Sequence, residues 1–165
     1  MIRDCAAADF EVVLDVVNDA AQAYRGVIPA DCWHEPYMSA GALARELEAG
    51  VTFRGFERDA ALIGVMGRQA VEDVLLIRHA YVRTAHRRHG IGGALLEDLR
   101  AGTTRPILIG TWAAARWAID FYRRHGFALV PAAQTGPLLR RYWSVPERQI
   151  ETSVVLADRR GLERR

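Results

Sequence analysis

The chain has 165 residues, half of them hydrophobic and a quarter charged, with a net charge of +2. That profile fits one globular domain burying roughly 70% of its unfolded surface, excludes an apolar run of ~18 residues that could span a membrane, and lacks the charge footprint of a nucleic-acid binder. Asp4, Asp9 and Glu11 fall where a signal peptide needs an apolar core, and Cys5 and Cys32 are too few for a disulfide framework, so a cytoplasmic protein with free thiols is expected.

Ile2–Cys5 reads as a short first strand. From Ala7 to Tyr24, apolar residues at Phe10, Val13, Leu14, Val17, Ala21 and Tyr24 form a helical stripe that Gly26 and Pro29 stop. A non-periodic segment with Asp31, Trp33, His34, Glu35 and Tyr37 follows, and Ser39 is placed to cap a second helix closed by Gly50. Val51–Glu57 and Ala61–Ala70 read as a hairpin turning at Arg58-Asp59, with Val74–Val82 as the third strand of a meander.

A helix over Gly90–Ala101 buries Ile91, Leu95, Leu96 and Leu99 and turns Glu97 and Asp98 to water. Pro106–Gly110 reads as a buried strand, Ala113–His125 as a helix with Gly126 at its end, and Phe127–Val130 as a strand. A connection rich in Pro, Gly and Ala leads to a last strand over Ile150–Ala157. Arg159, Arg160, Arg164 and Arg165 make the tail from about residue 158 basic, with a frayed end expected. One α+β domain over residues 1–165 accounts for this order.

The centre of the pattern is the passage from the Val74–Val82 strand through Arg87-Arg88-His89-Gly90-Ile91-Gly92-Gly93 into a helix. Strand, glycine-rich turn and helix direct several backbone N–H groups and a positive dipole end at one spot. Glycines at 90 and 92 let an anion approach the main chain, and Arg87 and Arg88 add fork-shaped positive charge suited to phosphate. The chain contains no lysine, which excludes the P-loop, and Leu95 stands where the dinucleotide pattern needs its third glycine. A phosphate-binding turn and a simple strand-to-helix connection both remain open on these residues.

The pattern Arg87-x-x-Gly90-x-Gly92, preceded by Tyr81-Val82, resembles the coenzyme A diphosphate turn of the GNAT N-acetyltransferase superfamily. Trp117–Phe127, with Ala118, Tyr122, Gly126 and Phe127, is similar to that family's second signature, A-x-x-x-Y-x-x-x-G-F. The resemblance implies a mixed, mostly antiparallel sheet of about six to seven strands, splayed at its centre and flanked by about four helices. It further implies acetyl-CoA as co-substrate, with Tyr81, Val82, Arg83, Arg87, Arg88, His89, Gly90, Ile91, Gly92 and Gly93 as its binding residues. The pantetheine arm would pair with the backbone of Tyr81, Val82 and Arg83. Ala115 stands where the family usually has Asn, which removes one polar contact to that arm.

Amine attack on a thioester needs a neutral amine, an oxyanion donor and a stabilised thiolate. A backbone N–H near Val82 is expected to serve the oxyanion. Tyr122 matches the position of the family's general acid, while an ordinary core tyrosine also fits its helix. The strand holds no carboxylate, so the expected base is His79 or Glu35; a plain strand histidine fits His79 equally. Asp31, Trp33, His34, Glu35 and Tyr37 are expected to line the acceptor pocket by the same resemblance. Trp112, Trp117 and Trp143 read as core or pocket wall, no metal set is expected, and no membrane or nucleic-acid partner is implied. The expected partner is a small-molecule or peptide amine, with a homodimer left open. A CoA-binding sensor without turnover is the alternative function.

Overall fold

The computed structural model describes residues 1–163; the last two arginines of the expected tail, Arg164 and Arg165, lie outside them. The fold is α+β, with strand order β1-β2-β3-β4-β5-β7-β6. Its residues cluster into two compact units, and β4 (Val74–Val82) contributes to both.

The first unit comprises residues 1–23, 34–69 and 77–104. β1 (Ile2–Asp4) pairs antiparallel with β2 (Thr52–Arg58), and β2 with β3 (Ala61–Val71). Their hairpin turns at Asp59-Ala60, one residue later than expected. Both residues have positive φ, 52° and 59°, as a two-residue turn needs to match the strand twist. Val13, Val16 and Val17 of α1 (Phe10–Ala21) and Leu43 of α2 (Ala40–Glu48) pack with Phe53 and Val65. Ser39 caps α2, its hydroxyl accepting the Ala42 N–H. The expected helix over Ala7–Tyr24 resolves into α1 between two short 3-10 turns, Ala7–Asp9 and Gln22–Tyr24.

α3 (Ile91–Ala101) sits against Gly64, where an added Cβ would lie 2.8 Å from Ile91. Only glycine admits the helix so close to the strand. Leu95, Leu96 and Leu99 are fully buried, as the periodicity predicts. Asp98 does not simply face water: Arg54 grips it with two hydrogen bonds, 2.7 and 3.0 Å long.

The second unit comprises, among the described residues, 24–33, 70–76 and 105–163. β5 (Ile107–Trp112) and β6 (Ala128–Leu129) each pair antiparallel with β7 (Ser153–Ala157), and the Leu75 N–H donates to the Pro106 carbonyl. α4 (Arg116–Arg124) is shorter than expected, starting after Ala115.

The expected connection after β6 is instead α5 (Ala132–Tyr142), with Pro137 inside it. Proline forfeits one helical hydrogen bond, yet burial of Leu138, Leu139 and Tyr142 in the local core holds the helix. Ile150, expected in the last strand, belongs to α6 (Glu147–Glu151). The tail is helical as α7 (Arg159–Glu163), anchored by buried Asp158, which accepts the Ile107 and Gly161 N–H groups. Among the described residues no helix is long and apolar enough to cross a membrane.

Candidate functional site

In the first unit, β4 leads through a 3-10 turn, Thr84–His86, into α3. Arg88 (φ 63°) and Gly90 (φ 75°) both take left-handed backbone, curling the segment so that successive amides converge. Gly90 is the helix cap, and no side chain caps it. The first intrahelical bond runs from the Ala94 N–H to the Gly90 carbonyl. The N–H groups of Ile91, Gly92 and Gly93 therefore precede it, with no acceptor among the described residues. An uncapped helix start with several free donors is an anion site in waiting.

The two arginines divide their work. Arg87 directs Nη2 onto the Ala20 carbonyl (2.7 Å), near the negative end of α1, so it ties the turn down. The Thr84 N–H adds a second tether to the same end, on Asp19 Oδ2 at 2.7 Å. Arg88 and His89 are exposed beside the amides. His89 also brings Nδ1 to 3.2 Å from the His86 carbonyl.

Backbone polarity along β4 separates three residues the sequence grouped together. The Arg83 N–H donates to the Ile63 carbonyl on β3. Strand residues alternate in the direction of their backbone groups, so Tyr81 also addresses β3 while Val82 directs its N–H and carbonyl to the opposite edge. Of Tyr81, Val82 and Arg83, Val82 is thus the residue whose main chain is aimed outward. The Arg83 guanidinium turns back onto the Leu62 carbonyl at 3.2 Å.

His79 lies on the same strand with φ 52°, and its Nε2 is 2.8 Å from Glu46 Oε2 of α2. Arg78 reaches the same carboxylate at 3.1 Å. Burial opposes ionisation of Glu46, but the hydrogen bond and charge of His79, followed by the charge of Arg78, outweigh it and hold the carboxyl below its ordinary range. The sequence predicted α2 from its Ser39 cap but did not single out Glu46. The only available signal was an acid three residues after a buried leucine, which reads as an ordinary solvent face.

The expected acceptor segment divides between the units. His34, Glu35 and Tyr37 belong to the first, where Glu35 is exposed and accepts a hydrogen bond from Gln22 at 3.2 Å. The segment's end is clamped by Asn18, which exchanges two hydrogen bonds with the Met38 backbone. Asp31 and Trp33 belong to the second unit. There Arg148 of α6 holds Asp31 through Nε at 2.7 Å, so this carboxylate is already paired and lies below its ordinary range.

Also in the second unit, α4 carries Tyr122, buried at 6% exposure with the rings of Phe121 and Phe127 edge-on to it. Among the described residues nothing hydrogen-bonds its hydroxyl, and no sealed side-chain polar atom lacks a partner, so the oxygen reaches the surface. Burial, and secondarily the phenol of Tyr24, push Tyr122 well above the ordinary phenol value, leaving it protonated at neutral pH. Trp112 and Trp143 are buried as expected, but Trp117 is 45% exposed and stacks on Tyr24 at 5.9 Å.

Residues 51–129 match the family model described as an acetyltransferase (GNAT) domain. Among solved structures, the chain is similar to a PaiA N-acetyltransferase from Thermoplasma acidophilum in complex with coenzyme A (16% identity, 96% of this chain and 97% of that one, TM-score 0.69). It is also similar to a GNAT family acetyltransferase from Elizabethkingia anophelis with acetyl-CoA bound (17%, 96% and 96%, TM-score 0.67). A third likeness is to a ribosomal-protein-alanine N-acetyltransferase from Brucella melitensis (18%, 96% and 98%, TM-score 0.63). No curated protein sequence matches. The family model spans the meander, the glycine turn and the Tyr122 helix, and over nearly its whole length the chain has the fold of the GNAT acetyltransferases it is similar to.

Proposed function

We propose that the protein transfers an acetyl group from acetyl-CoA to a primary amine by direct attack, with both substrates bound together. The observation that carries this reading is the row of unpartnered amides at the start of α3, cradled by left-handed Arg88 and Gly90. That row suits a diphosphate, and Arg88 supplies charge beside it. Two of the similar structures named above hold CoA or acetyl-CoA, which supports the same co-substrate here.

The chemistry then distributes over few groups. The Val82 N–H, aimed away from β3, is a preorganised donor for the tetrahedral oxyanion. Tyr122 is a hydrogen-bond donor to the departing sulfur. A thiol of ordinary pKa ~8.5 is too weakly basic to strip a phenol raised by burial, so the phenol steadies the thiolate and solvent delivers its proton. His79 takes the proton from the amine. Glu35, exposed on a loop and bonded to Gln22, is a less defined base. Asp31 is committed to Arg148 and contributes to shape more than to catalysis.

The test is titration calorimetry with CoA and acetyl-CoA, followed by thiol release with a polyamine, an alanyl peptide and an arylalkylamine. Binding of both nucleotides and release with at least one amine are expected. No heat with either would end the proposal, and binding without release from any amine would favour a CoA sensor.

A further inference from the structure

Resting on the acyl-transfer reading above, we infer that Glu46 is a positioning residue: it fixes the tautomer of His79 so that Nδ1 is the atom that receives the amine proton. Consecutive strand residues normally point to opposite faces, yet Arg78 and His79 both reach the one carboxylate of Glu46. The left-handed φ of His79, 52°, breaks the alternation. Such irregularities in a strand re-aim side chains and recur beside active sites. β3 accommodates the distortion with Gly67, where a Cβ would stand 2.8 Å from the Arg78 carbonyl. The arrangement is thus built from three elements, β3, β4 and α2.

Protonation logic then assigns the atoms. Glu46 is held in its charged form, and a carboxylate can only accept hydrogen bonds. Nε2 of His79, 2.8 Å from Oε2, must therefore carry the hydrogen. In the neutral ring the lone pair is then on Nδ1. Nδ1 has no partner among the described residues, and since no sealed polar side-chain atom lacks one, it meets solvent. One nitrogen anchored and the other open is the geometry of an oriented base.

The groups facing this imidazole are few. α2 supplies Glu46, with Arg45 adding a weaker field on that carboxylate. β4 supplies Arg78, and Gln69 of β3 accepts from Arg78 at 2.9 Å. β2 supplies only the ring of Phe53, 6.1 Å away, and α1 contributes valines to the adjoining core. Among the described residues Glu46 is thus the one negative charge in contact with the ring.

In the step itself the acceptor ammonium gives one proton to Nδ1, directly or through one water. The freed nitrogen lone pair bonds to the thioester carbon. The attacking nitrogen releases its second surplus proton to solvent, the carbon–sulfur bond breaks with its electron pair on sulfur, and the thiolate takes a proton from solvent. The imidazolium, paired with Glu46, returns its proton to solvent. Nothing is oxidised or reduced.

Two measurements decide the matter. Long-range nitrogen–proton NMR of the full chain should show His79 as the Nε2–H tautomer, and Glu46→Gln should give a mixture, because an amide can either donate or accept. In thiol-release kinetics with the most active amine, Glu46→Gln should lower kcat about tenfold or more. KM for acetyl-CoA should stay unchanged, and Glu46→Asp should restore part of the loss. An Nδ1–H tautomer in the wild type, or a Glu46→Gln enzyme with kcat within twofold, would overturn the inference. Should the wild type release no thiol with any amine, acyl transfer itself fails, and the tautomer measurement still answers for Glu46. Should Glu46→Gln fail to fold, the wild-type spectrum and Glu46→Asp carry the decision.

Discussion

Tyr122 shows how one residue's environment decides its role. Its ring is packed by Phe121 and Phe127, while its hydroxyl has no protein partner among the described residues. A phenol pushed up by burial is a poor proton donor but an intact hydrogen-bond donor. A hydrogen bond to a charged group contributes about 1.5–3 kcal/mol, so Tyr122→Phe should lower kcat by roughly 10- to 100-fold. Presteady-state thiol release would measure that loss, and an unchanged rate would remove the phenol from the mechanism. Asp31 makes the opposite point. It was expected to line the acceptor pocket, but Arg148 occupies it, and a paired carboxylate has little left to offer a substrate.

Among the elements, the β3–β4 pair carries the most constraint. Gly67 is required by close approach to the Arg78 carbonyl, where no side-chain carbon fits without backbone movement. Gly67→Ala should therefore destabilise the protein by about 1–3 kcal/mol, the usual cost of overpacking, readable in urea unfolding. Because the displaced carbonyl adjoins His79, the same variant should also lose acyl-transfer rate, whereas alanine at a merely spacious glycine would cost little. α5 shows an element formed against local preference: Pro137 argues for a break, and three buried side chains prevail.

Across the whole molecule, the resolved carboxylate shifts all run in one direction. Asp9, hydrogen-bonded by Arg3 and by the Ala6 N–H, is brought down to about 2, and Asp4, Asp31 and Glu46 are also held below their ordinary range. A carboxyl whose folded value is depressed contributes stability above its unfolded value, near 4, and loses it as pH falls through the folded value. Thermal midpoints should accordingly be level above about pH 5 and fall between about pH 4 and pH 2. Asp9→Asn should flatten the acid end of that curve in calorimetric scans, and an identical acid slope would show that this group contributes nothing.

The path from β4 through Gly90 into α3 was legible in the residues because its determinants are local: strand formers, a glycine for left-handed backbone, then a helical stripe. The same holds for Ser39 as a cap. Tertiary structure alone decided what the side chains hold. The pairs His79–Glu46, Arg87–Ala20 and Arg148–Asp31 join residues 33, 67 and 117 positions apart. Backbone preference is set by a residue and its neighbours, whereas the identity of a contact depends on strand register and helix packing, which no short window of sequence contains.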